Sequence, residues 1–273
     1  MRAVITLTTD FGLGDPYVAA MKGVILGINP EANVVDVSHS VRPQRVVQAA
    51  FITQCAWPFF PDGTVHVAVV DPGVGSGRLA LALETPRGCV VGPDNGVLSS
   101  ALPEEARPPA AAGLARVKLP EGYRAFSITN RRYLLEPVSA TFHGRDVFAP
   151  AAAHVSMGVA VHELGEEVDS MLALPPLRAC RRGDGSLEGS VLHIDRFGNA
   201  IMDARADDLP DGPFEVDVAG ASVPGPAQTY AGAAGLVALI GSSGYLEVAL
   251  PNGSAANELA IGIGDPVLVR PRR

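Results

Sequence analysis

The pattern of apolar and polar positions predicts that the first half of the chain alternates strands and helices. The β-branched, apolar run at 3–9 is followed by a loop with two glycines and then by residues 17–28, whose apolar positions have helical spacing. A second strand at 32–41 leads into a helical pattern at 44–57, and a third strand follows at 64–70. Apolar strands that alternate with helices are typical of a parallel or mixed sheet covered on both faces. We therefore predict an N-terminal α/β domain.

Shorter elements continue this N-terminal region. Strands are predicted at 79–84 and 89–92, and the Pro-Asp-Asn-Gly motif that follows predicts a turn before a short helix. Residues 103–125 are rich in Pro, Ala and Arg, and we interpret them as a surface excursion. A helix predicted at 148–158 then closes the domain.

The pattern changes at the boundary of a second domain. Prolines, glycines and charges without apolar periodicity predict a linker at 175–188, between an N-terminal domain at 1–174 and a C-terminal domain at 189–273. Short strand patterns at turn-rich spacing, with no convincing helix, fill the second domain. These strands are predicted at 188–195, 199–203, 214–220, 235–241, 245–250 and 265–270. They predict a small antiparallel β-barrel or sandwich.

Composition and charge exclude several functional classes. The 273 residues are 47% hydrophobic and 18% charged with a mean hydropathy of +0.22, which indicates a folded globular protein. The 21 basic and 29 acidic residues give a net charge of −8 without a basic cluster, so we expect no nucleic-acid partner. The three cysteines lack C-x-x-C spacing, and no apolar run reaches the ~18 residues of a membrane span. A soluble, cytoplasmic protein is therefore expected.

Polar residues follow the predicted strands of the first domain. Asp10 comes after the first strand and Asp71 after the third, and ligands gather at such strand ends in open α/β sheets. Asp10 is suited to hold a sugar diol, because one carboxylate accepts from two hydroxyls, or to cap the next helix. Three glycines between Asp71 and Arg78 make a tight loop across which the charges meet, either in a ligand site or in a surface ion pair. His143 is either a catalytic or a structural histidine.

Two turn segments of the second domain combine polar side chains with a glycine and an aromatic residue. One runs from Asp195 through Phe197 to Asn199, and the other is Gly-Ser-Ser-Gly-Tyr-Leu-Glu at 241–247. Such turns suit a planar ring, yet turn formation alone explains either sequence. On their own, these segments leave the role open.

Taken together, the motifs resemble those of the S-adenosyl-L-methionine hydrolase family, the hydroxide adenosyltransferases, which is related to the fluorinase and chlorinase enzymes. The motifs that carry the resemblance are TTDFG (8–12), VVDVSHSV (34–41), VVDPGVGSGR (69–78), GPDNG (92–96), TFHGRDVFAP (141–150), IDRFGN (194–199) and SSGYLEVA (242–249). Their order and spacing cover nearly the whole chain. Seven motifs in register are far more specific than any one of them.

The resemblance implies an architecture and a substrate. It implies an N-terminal α/β domain with a central mixed or parallel sheet and a small C-terminal antiparallel β-barrel domain. It also implies a homotrimer with each site between the N-terminal domain of one subunit and the C-terminal domain of the next. S-adenosyl-L-methionine is then the substrate, Asp10 holds its ribose hydroxyls, and no cofactor or metal is expected.

The resemblance also assigns roles on the C-terminal side of the site. Asn199 reads the adenine and Phe197 packs near it, while Asp195 and Ser242 hold the methionine end. Glu247 and the neighbouring backbone complete the wall. The implied substrate-binding set on this side is Asp195, Phe197, Asn199, Ser242, Tyr245 and Glu247.

The same likeness separates hydrolase from halogenase. Hydrolases of the family use an Asp, Arg and His set around the nucleophilic water, and Asp71, Arg78 and His143 stand at the matching positions. The fluorinase has Tyr at the position of Asp71, Trp at that of Gln44 and Ser at that of Gly144, so the halide pocket is largely missing. Gly144 alone does not decide, because the chlorinase also has Gly there.

The implied reaction is an in-line attack of water or hydroxide on the ribose C5′ atom, which releases adenosine and L-methionine. The sulfonium departs as a neutral thioether, so sulfur needs no general acid. Arg78 is expected to keep Asp71 ionised and to stabilise hydroxide character on the nucleophile. The acceptor of the water proton is either Asp71 or His143.

Three alternatives stay open at this point. One is a chlorinase-like halogenase. A second is a protein that binds S-adenosyl-L-methionine or adenosine without turnover, which would not need Asp71, Arg78 and His143 together. The third, a metal hydrolase built on His39 and His66, is weaker because no ligand spacing supports it.

Overall fold

The computed structural model describes residues 3–231 and 233–272, and the chain divides into two units between Pro176 and Leu177. Within the described residues, no helix is long and apolar enough to cross a membrane.

The first unit is a mixed α/β structure. Its elements are β1 (Val4–Thr9), α1 (Tyr17–Ile28), β2 (Asn33–Ser38), α2 (Val46–Ala56), β3 (Thr64–Val69), β4 (Ala80–Thr85), β5 (Gly88–Pro93), β6 (Ala115–Lys118), β7 (Arg124–Ser127), α3 (Ala149–Ser156), β8 (Glu167–Val168) and β9 (Ser170–Ala173). Seven of these strands form one sheet in the order β2-β1-β3-β5-β4-β7-β8, while β6 pairs with β9. The pairs β2/β1, β1/β3 and β3/β5 are parallel, and the others are antiparallel. The predicted mixed α/β sheet is confirmed.

Helices cover both faces of this sheet. On one face α1 and α3 pack on the strands, and Met21, Ile25 and Phe148 belong to that core. On the other face α2 packs with the short helical turn 97–101 on Val90 and its neighbours. Because both faces are covered, β3 is buried along its whole length, which explains why it is mostly apolar on both faces.

The predicted surface excursion at 103–125 is partly wrong. It contains two short 3-10 turns, at Glu104–Ala106 and Ala110–Ala112, then β6, and it leads into β7. Strand β6 has only four residues, alternating half-buried and exposed positions, and it pairs with β9 from a distant part of the chain. A run this short carries too few periods to be recognised from its hydrophobic pattern.

A buried histidine lies in the middle of β3. The Nδ1 atom of His66 lies 2.8 Å from the Oγ1 atom of Thr6, and its ring stacks on Trp57 with the ring centroids 4.3 Å apart. Burial, followed by the nearby charge of Arg87, lowers the pKa of His66 to about 4. The folded protein therefore holds this ring neutral, whereas the unfolded chain protonates it near pH 6.5.

This difference predicts an acid-sensitive first unit. As the pH falls from about 6.5 to about 4, His66 becomes protonated in the unfolded state but stays neutral in the folded state. This difference should lower the free energy of unfolding by about 3 kcal/mol. Denaturant unfolding followed by the fluorescence of Trp57, the single tryptophan, measures it. His66→Leu should lose that part of the pH dependence. The same pH dependence in both proteins would contradict the assignment.

The second unit is an antiparallel β structure. Its elements are β10 (Cys180–Arg181), β11 (Leu187–Ile194), β12 (Ala200–Arg205), β13 (Phe214–Val218), β14 (Ala221–Gly225), β15 (Val237–Ile240), β16 (Tyr245–Ala249), α4 (Ala255–Glu258) and β17 (Pro266–Pro271). The sheet order is β14-β13-β17-β11-β12-β16-β15, with β10 paired to β11. The Ala227 N–H donates to the carbonyl of Ala238 on β15 at 2.8 Å, which brings the two ends of the sheet together. The predicted small antiparallel barrel is confirmed in this nearly closed sheet.

Two details of this unit differ from the sequence prediction. Residues 180–188 of the predicted linker form a hairpin, because Cys180 and Arg181 of β10 pair with β11. Its Gly- and Asp-rich sequence is the hairpin turn, and turns and linkers share this composition. The second unit also contains the one-turn helix α4, capped by Ser254, whose Oγ atom accepts from the Asn257 N–H at 3.2 Å.

Candidate active site

The candidate site is a cavity of about 390 Å³ in the first unit, at the carboxyl ends of the parallel strands β1 and β3. It is lined by Asp10, Phe11, Tyr17, Pro43, Gln44, Val69, Asp71, Pro72, Val74, Thr141, Phe142, His143 and Gly144. Asp10, Asp71 and His143, which are far apart in sequence, therefore face one space. Strand ends of this kind are the usual place for ligands in open α/β sheets.

Arg78 ties the catalytic candidates into one cluster. Its Nε atom donates to Asp71 Oδ1 at 2.8 Å, and its Nη2 atom donates to Asp71 Oδ2. Nη2 also lies 2.9 Å from Nδ1 of His143. The side chains of Arg78 and Asp71 are only 10% and 5% exposed, so this is a desolvated bidentate pair and not the alternative surface ion pair.

The glycine-rich loop between Asp71 and Arg78 is shaped by close packing. Gly75 has a φ of 76°, and a Cβ atom there would lie 2.4 Å from the carbonyl oxygen of Ala140. Ser76 donates from its hydroxyl to the carbonyl of Gly73 at 2.6 Å and closes the turn. The loop of Asp71 and Arg78 therefore rests directly against the segment that leads to His143.

His143 is held by a turn of π-helix at Gly144–Phe148. The fully buried Asp146 in this turn accepts from the Ser139 N–H at 2.9 Å and from Nε of Arg145 at 2.6 Å. Gly144 lies against two rings, since a Cβ atom there would be 3.1 Å from Phe11 and 3.2 Å from Phe142. The π-helical turn thus fixes His143 between the cluster and an aromatic wall.

The hydrogen bond to Arg78 determines the tautomer of His143. A guanidinium has only donors, so Nδ1 of His143 is the acceptor and the ring hydrogen is on Nε2. Burial, followed by the positive charge of Arg78, lowers the pKa of His143 against the opposing effect of Asp71. The ring is therefore neutral at neutral pH.

Asp10 lines the same cavity. Its Oδ2 atom accepts from the backbone N–H of Gln44 at 2.8 Å, and Gln44 adopts a left-handed φ of 67° to present this group. The structure gives no side-chain cap from Asp10 to α1, whose N-cap is Pro16. The carboxylate is thus oriented toward the cavity and is available to accept ligand hydroxyls.

The loop at 195–199 in the second unit is ordered by Asp195. Its Oδ1 atom accepts from the backbone N–H groups of Phe197 and Asn199, both at 2.9 Å, and its Oδ2 atom accepts from the Asn199 amide at 3.0 Å. Asn199 is buried, whereas Phe197 is 76% exposed. The Phe197 ring is therefore presented outward from this unit.

The turn 241–244 and strand β16 carry the remaining predicted residues. Ser242 is exposed in the turn. Glu247 is buried and accepts from the hydroxyl of Tyr230; burial raises the pKa of Glu247, and this contact raises the pKa of Tyr230 to about 12. Tyr245 is only 2% exposed, and its hydroxyl accepts from Nη2 of Arg205 at 3.0 Å. Leu246 and Val248 of β16 belong to the barrel core, so the alternation of the strand places Tyr245 on the other face, with Glu247.

Several site residues were missed at the sequence level. Phe11 and Phe142 stand inside the motifs TTDFG and TFHGRDVFAP, which assign no role to either ring, and the pattern around Tyr17 predicts only a helix. The three rings pack edge-on or tilted with centroids 5.1 to 5.9 Å apart and wall the cavity. Tyr230 lies outside every motif, and only its contact with Glu247 identifies it.

The histidines of the metal-hydrolase alternative are not gathered into one site. His39 contacts Thr9 and Asp36, while His66 contacts Thr6. In residues 3–231 and 233–272, no group of three or more His, Cys, Asp or Glu side chains has a metal-binding arrangement. The donor set of a metal centre is therefore not found in this part of the chain.

The fold and the cluster together define a two-unit protein with a half-buried Asp-Arg-His constellation of the hydrolytic type. The SAM hydroxide adenosyltransferase N-terminal domain model matches residues 5–165, and the corresponding C-terminal domain model matches residues 189–268. The chain belongs to the S-adenosyl-L-methionine hydroxide adenosyltransferase family.

Individual relatives agree with this assignment. An (R)-S-adenosyl-L-methionine hydrolase of Thermus thermophilus is 44% identical over 98% of this chain and 99% of its own length. A fluorinase of Actinoplanes is more distant, at 25% identity over 76% of this chain and 73% of its own length. The crystal structure of an uncharacterized conserved protein from Thermotoga maritima matches with a TM-score of 0.83 and 30% identity, covering 99% of this chain and 100% of that one.

Proposed function

We propose that this protein hydrolyses S-adenosyl-L-methionine to adenosine and L-methionine. The observation that carries the proposal is the desolvated Asp71-Arg78-His143 cluster, which opens on the same cavity as Asp10. Asp10 is proposed to hold the ribose hydroxyls in this cavity, with the cluster supplying the water. The hydrolase named among the relatives supports the same reaction.

The chemistry is a single displacement at carbon. A water oxygen forms a bond to C5′ while the C5′–S bond breaks, and the bonding pair goes to sulfur, which becomes the neutral thioether of methionine. The water loses one proton to the protein. Because sulfur takes up no proton, the protein needs one acceptor and no general acid.

The hydrogen-bond directions favour Asp71 over His143 as that acceptor. Nδ1 of His143 is occupied by Arg78, and Nε2 already carries a hydrogen, so the ring has no lone pair for the proton. Each oxygen of Asp71 accepts one bond from Arg78 and keeps a further lone pair. Asp71 is therefore the base, while Arg78 and the Nε2–H of His143 orient the water and stabilise its developing negative charge.

A product assay tests the proposal. The full chain is incubated with S-adenosyl-L-methionine, and the nucleoside products are separated with and without added chloride or fluoride. Adenosine as the main product in every condition supports the hydrolase. A 5′-halogenated nucleoside as the main product would establish the halogenase instead, and calorimetric binding without any product would establish a binding protein.

The state of His143 predicts the acid limb of the activity profile. Since its pKa is lowered, the neutral ring should persist below the ordinary histidine value of about 6.5. Activity should fall only as the pH drops through that lowered pKa, because a protonated ring loses its acceptor for Arg78 and places two cations side by side. The pH dependence of kcat/KM measures it, with His143→Asn expected to lack this limb. An acid limb at or above 6.5 would contradict this state of His143.

The other parts of the proposal come from the resemblance. Asn199, Phe197, Asp195, Ser242 and Glu247 are proposed to bind the adenine and methionine ends, with Tyr245 contributing its backbone. Asp195 and Glu247 would face the positively charged amino group and sulfonium with negative charge. A homotrimer, cofactor-independent turnover and a cytoplasmic location also stay predictions. Analytical ultracentrifugation and turnover in the presence of a chelator test the first two.

A further inference from the structure

A hydrogen-bond network that does not line the cavity lies next to Asp10. His39 follows β2 and is buried, and its Nδ1 atom lies 2.8 Å from the hydroxyl of Thr9 at the end of β1. The Thr9 oxygen accepts from the Phe11 N–H at 3.3 Å, and the carbonyl of His39 accepts from the Gly12 N–H at 2.8 Å. His39 therefore contacts the chain on both sides of Asp10.

The far side of the ring faces a carboxylate. Nε2 of His39 lies 3.0 Å from Oδ1 of Asp36, close enough for electrostatic attraction although too bent for a regular hydrogen bond. Asp36 is also 2.6 Å from Nζ of Lys22. Burial acts to raise the pKa of Asp36, but the contacts with Lys22 and His39 outweigh it and hold that pKa below its usual value.

The chemistry of the groups in this network determines which atom donates in each hydrogen bond. A carboxylate has only lone pairs, so the ring hydrogen belongs on Nε2 and Nδ1 accepts from the Thr9 hydroxyl. That leaves the Thr9 oxygen to accept from the Phe11 N–H. The network thus fixes the orientation of the peptide that follows Asp10, without any of its side chains facing the ligand.

Fixing this peptide matters because Asp10 has to meet two hydroxyls at once. Its Oδ2 atom is already anchored by the Gln44 N–H, so the remaining freedom of the carboxylate depends on the loop backbone. A misplacement by about an ångström is enough to disturb such paired contacts strongly. Within the described residues, neither Thr9 nor His39 lines the cavity, so any effect they have on a ligand passes through Asp10.

We propose that His39 is a positioning residue that holds Asp10 for an intact ribose diol and so sets the preference of the site for ribonucleosides. This inference rests on the proposed function only in its assignment of Asp10 to the ribose.

The neighbouring strand provides a matched control. His66 is equally buried, and its Nδ1 atom makes the same 2.8 Å contact with Thr6, which stands on β1 three residues before Thr9. The His66 ring stacks on Trp57, and neither His66 nor Thr6 lines the cavity. Replacing His66 therefore measures the general cost of losing a buried His-Thr contact next to β1.

The experiment compares two nucleosides that differ only in the diol. Calorimetry on the full chain gives the affinities for adenosine and for 2′,3′-dideoxyadenosine in the unaltered protein and in H39A, H39N, T9V and H66A. The unaltered protein should prefer adenosine, and H39A and T9V should reduce that preference about tenfold. H39N, whose amide oxygen can replace Nδ1 as acceptor, should restore most of it, and H66A should keep the full preference.

The outcomes test the positioning role of His39 separately from the proposed hydrolysis. T9V removes only the hydroxyl, so it keeps the proposal testable if H39A does not fold. An unchanged preference of T9V for adenosine over the dideoxynucleoside would overturn the positioning role of His39. An equal loss in H66A would overturn it as well, because the effect would then be general. If the unaltered protein bound adenosine and 2′,3′-dideoxyadenosine equally well, Asp10 would not bind the ribose diol and His39 would have no positioning role. None of these results depends on turnover, which the product assay measures separately.

Discussion

Replacing Asp71 with Asn should lower kcat for adenosine formation by about three orders of magnitude. The amide is nearly isosteric, but it can neither accept the water proton nor balance the charge of Arg78 in a desolvated site. A positioned base contributes typically ~10² to 10⁴-fold, and the loss of pairing with Arg78 adds to this effect. Initial rates measured by chromatography of adenosine give the result.

The control for this variant is an Asp-Arg pair on the surface of the same unit. Asp62 accepts from Nε of Arg87 at 2.8 Å but is exposed and does not line the cavity, so Asp62→Asn should leave kcat within about twofold. A kcat for Asp71→Asn close to that of Asp62→Asn would remove Asp71 from the reaction.

Replacing Arg78 with Lys should lower kcat by about a hundredfold and change KM little. The charge is kept, but an ammonium cannot reproduce the planar set of donors that reaches Asp71 twice, His143 and the carbonyl of Leu79. The water would then lose its orientation while the ribose contacts at Asp10 remain. Separate kcat and KM values from saturation kinetics distinguish the two effects.

An exposed bidentate pair controls for the Arg→Lys exchange itself. Arg124 contacts Glu167 with Nε at 3.1 Å and Nη2 at 2.8 Å on the surface, so Arg124→Lys should leave both kinetic constants unchanged. If Arg78→Lys instead raised KM and kept kcat, Arg78 would be a substrate-binding residue and not part of the water-activating cluster.

The sequence allowed the site in the first unit to be predicted in part. The Asp71–Arg78 pair could be predicted because the six residues between them include three glycines and form a tight loop. Asp10 could be predicted because it directly follows a parallel strand. The contact of Arg78 with His143 joins residues 65 positions apart. No local pattern reports such a contact, so the proposal of Asp71 as the base depends on hydrogen-bond directions that the sequence does not contain.

Fold prediction failed where elements were short or where one composition serves two structures. Strand β6 and helix α4 have four residues each, less than the pattern needs to repeat, and they form through tertiary pairing and a Ser254 cap. The Gly- and Asp-rich stretch before β11 reads as a linker but forms a hairpin turn. Tyr245 stands in a motif next to exposed serines, yet its side chain is only 2% exposed and contacts Arg205, which lies 40 residues away and outside the motif.

The most direct test of the central claim is the origin of the 5′-oxygen of adenosine. The full chain is allowed to turn over S-adenosyl-L-methionine in water enriched in oxygen-18, and the adenosine and methionine formed are analysed by mass spectrometry. Attack of water on C5′ predicts adenosine that carries the label in its 5′-hydroxyl and methionine that does not. Unlabelled adenosine, or label in a fragment derived from the methionine side, would contradict the account.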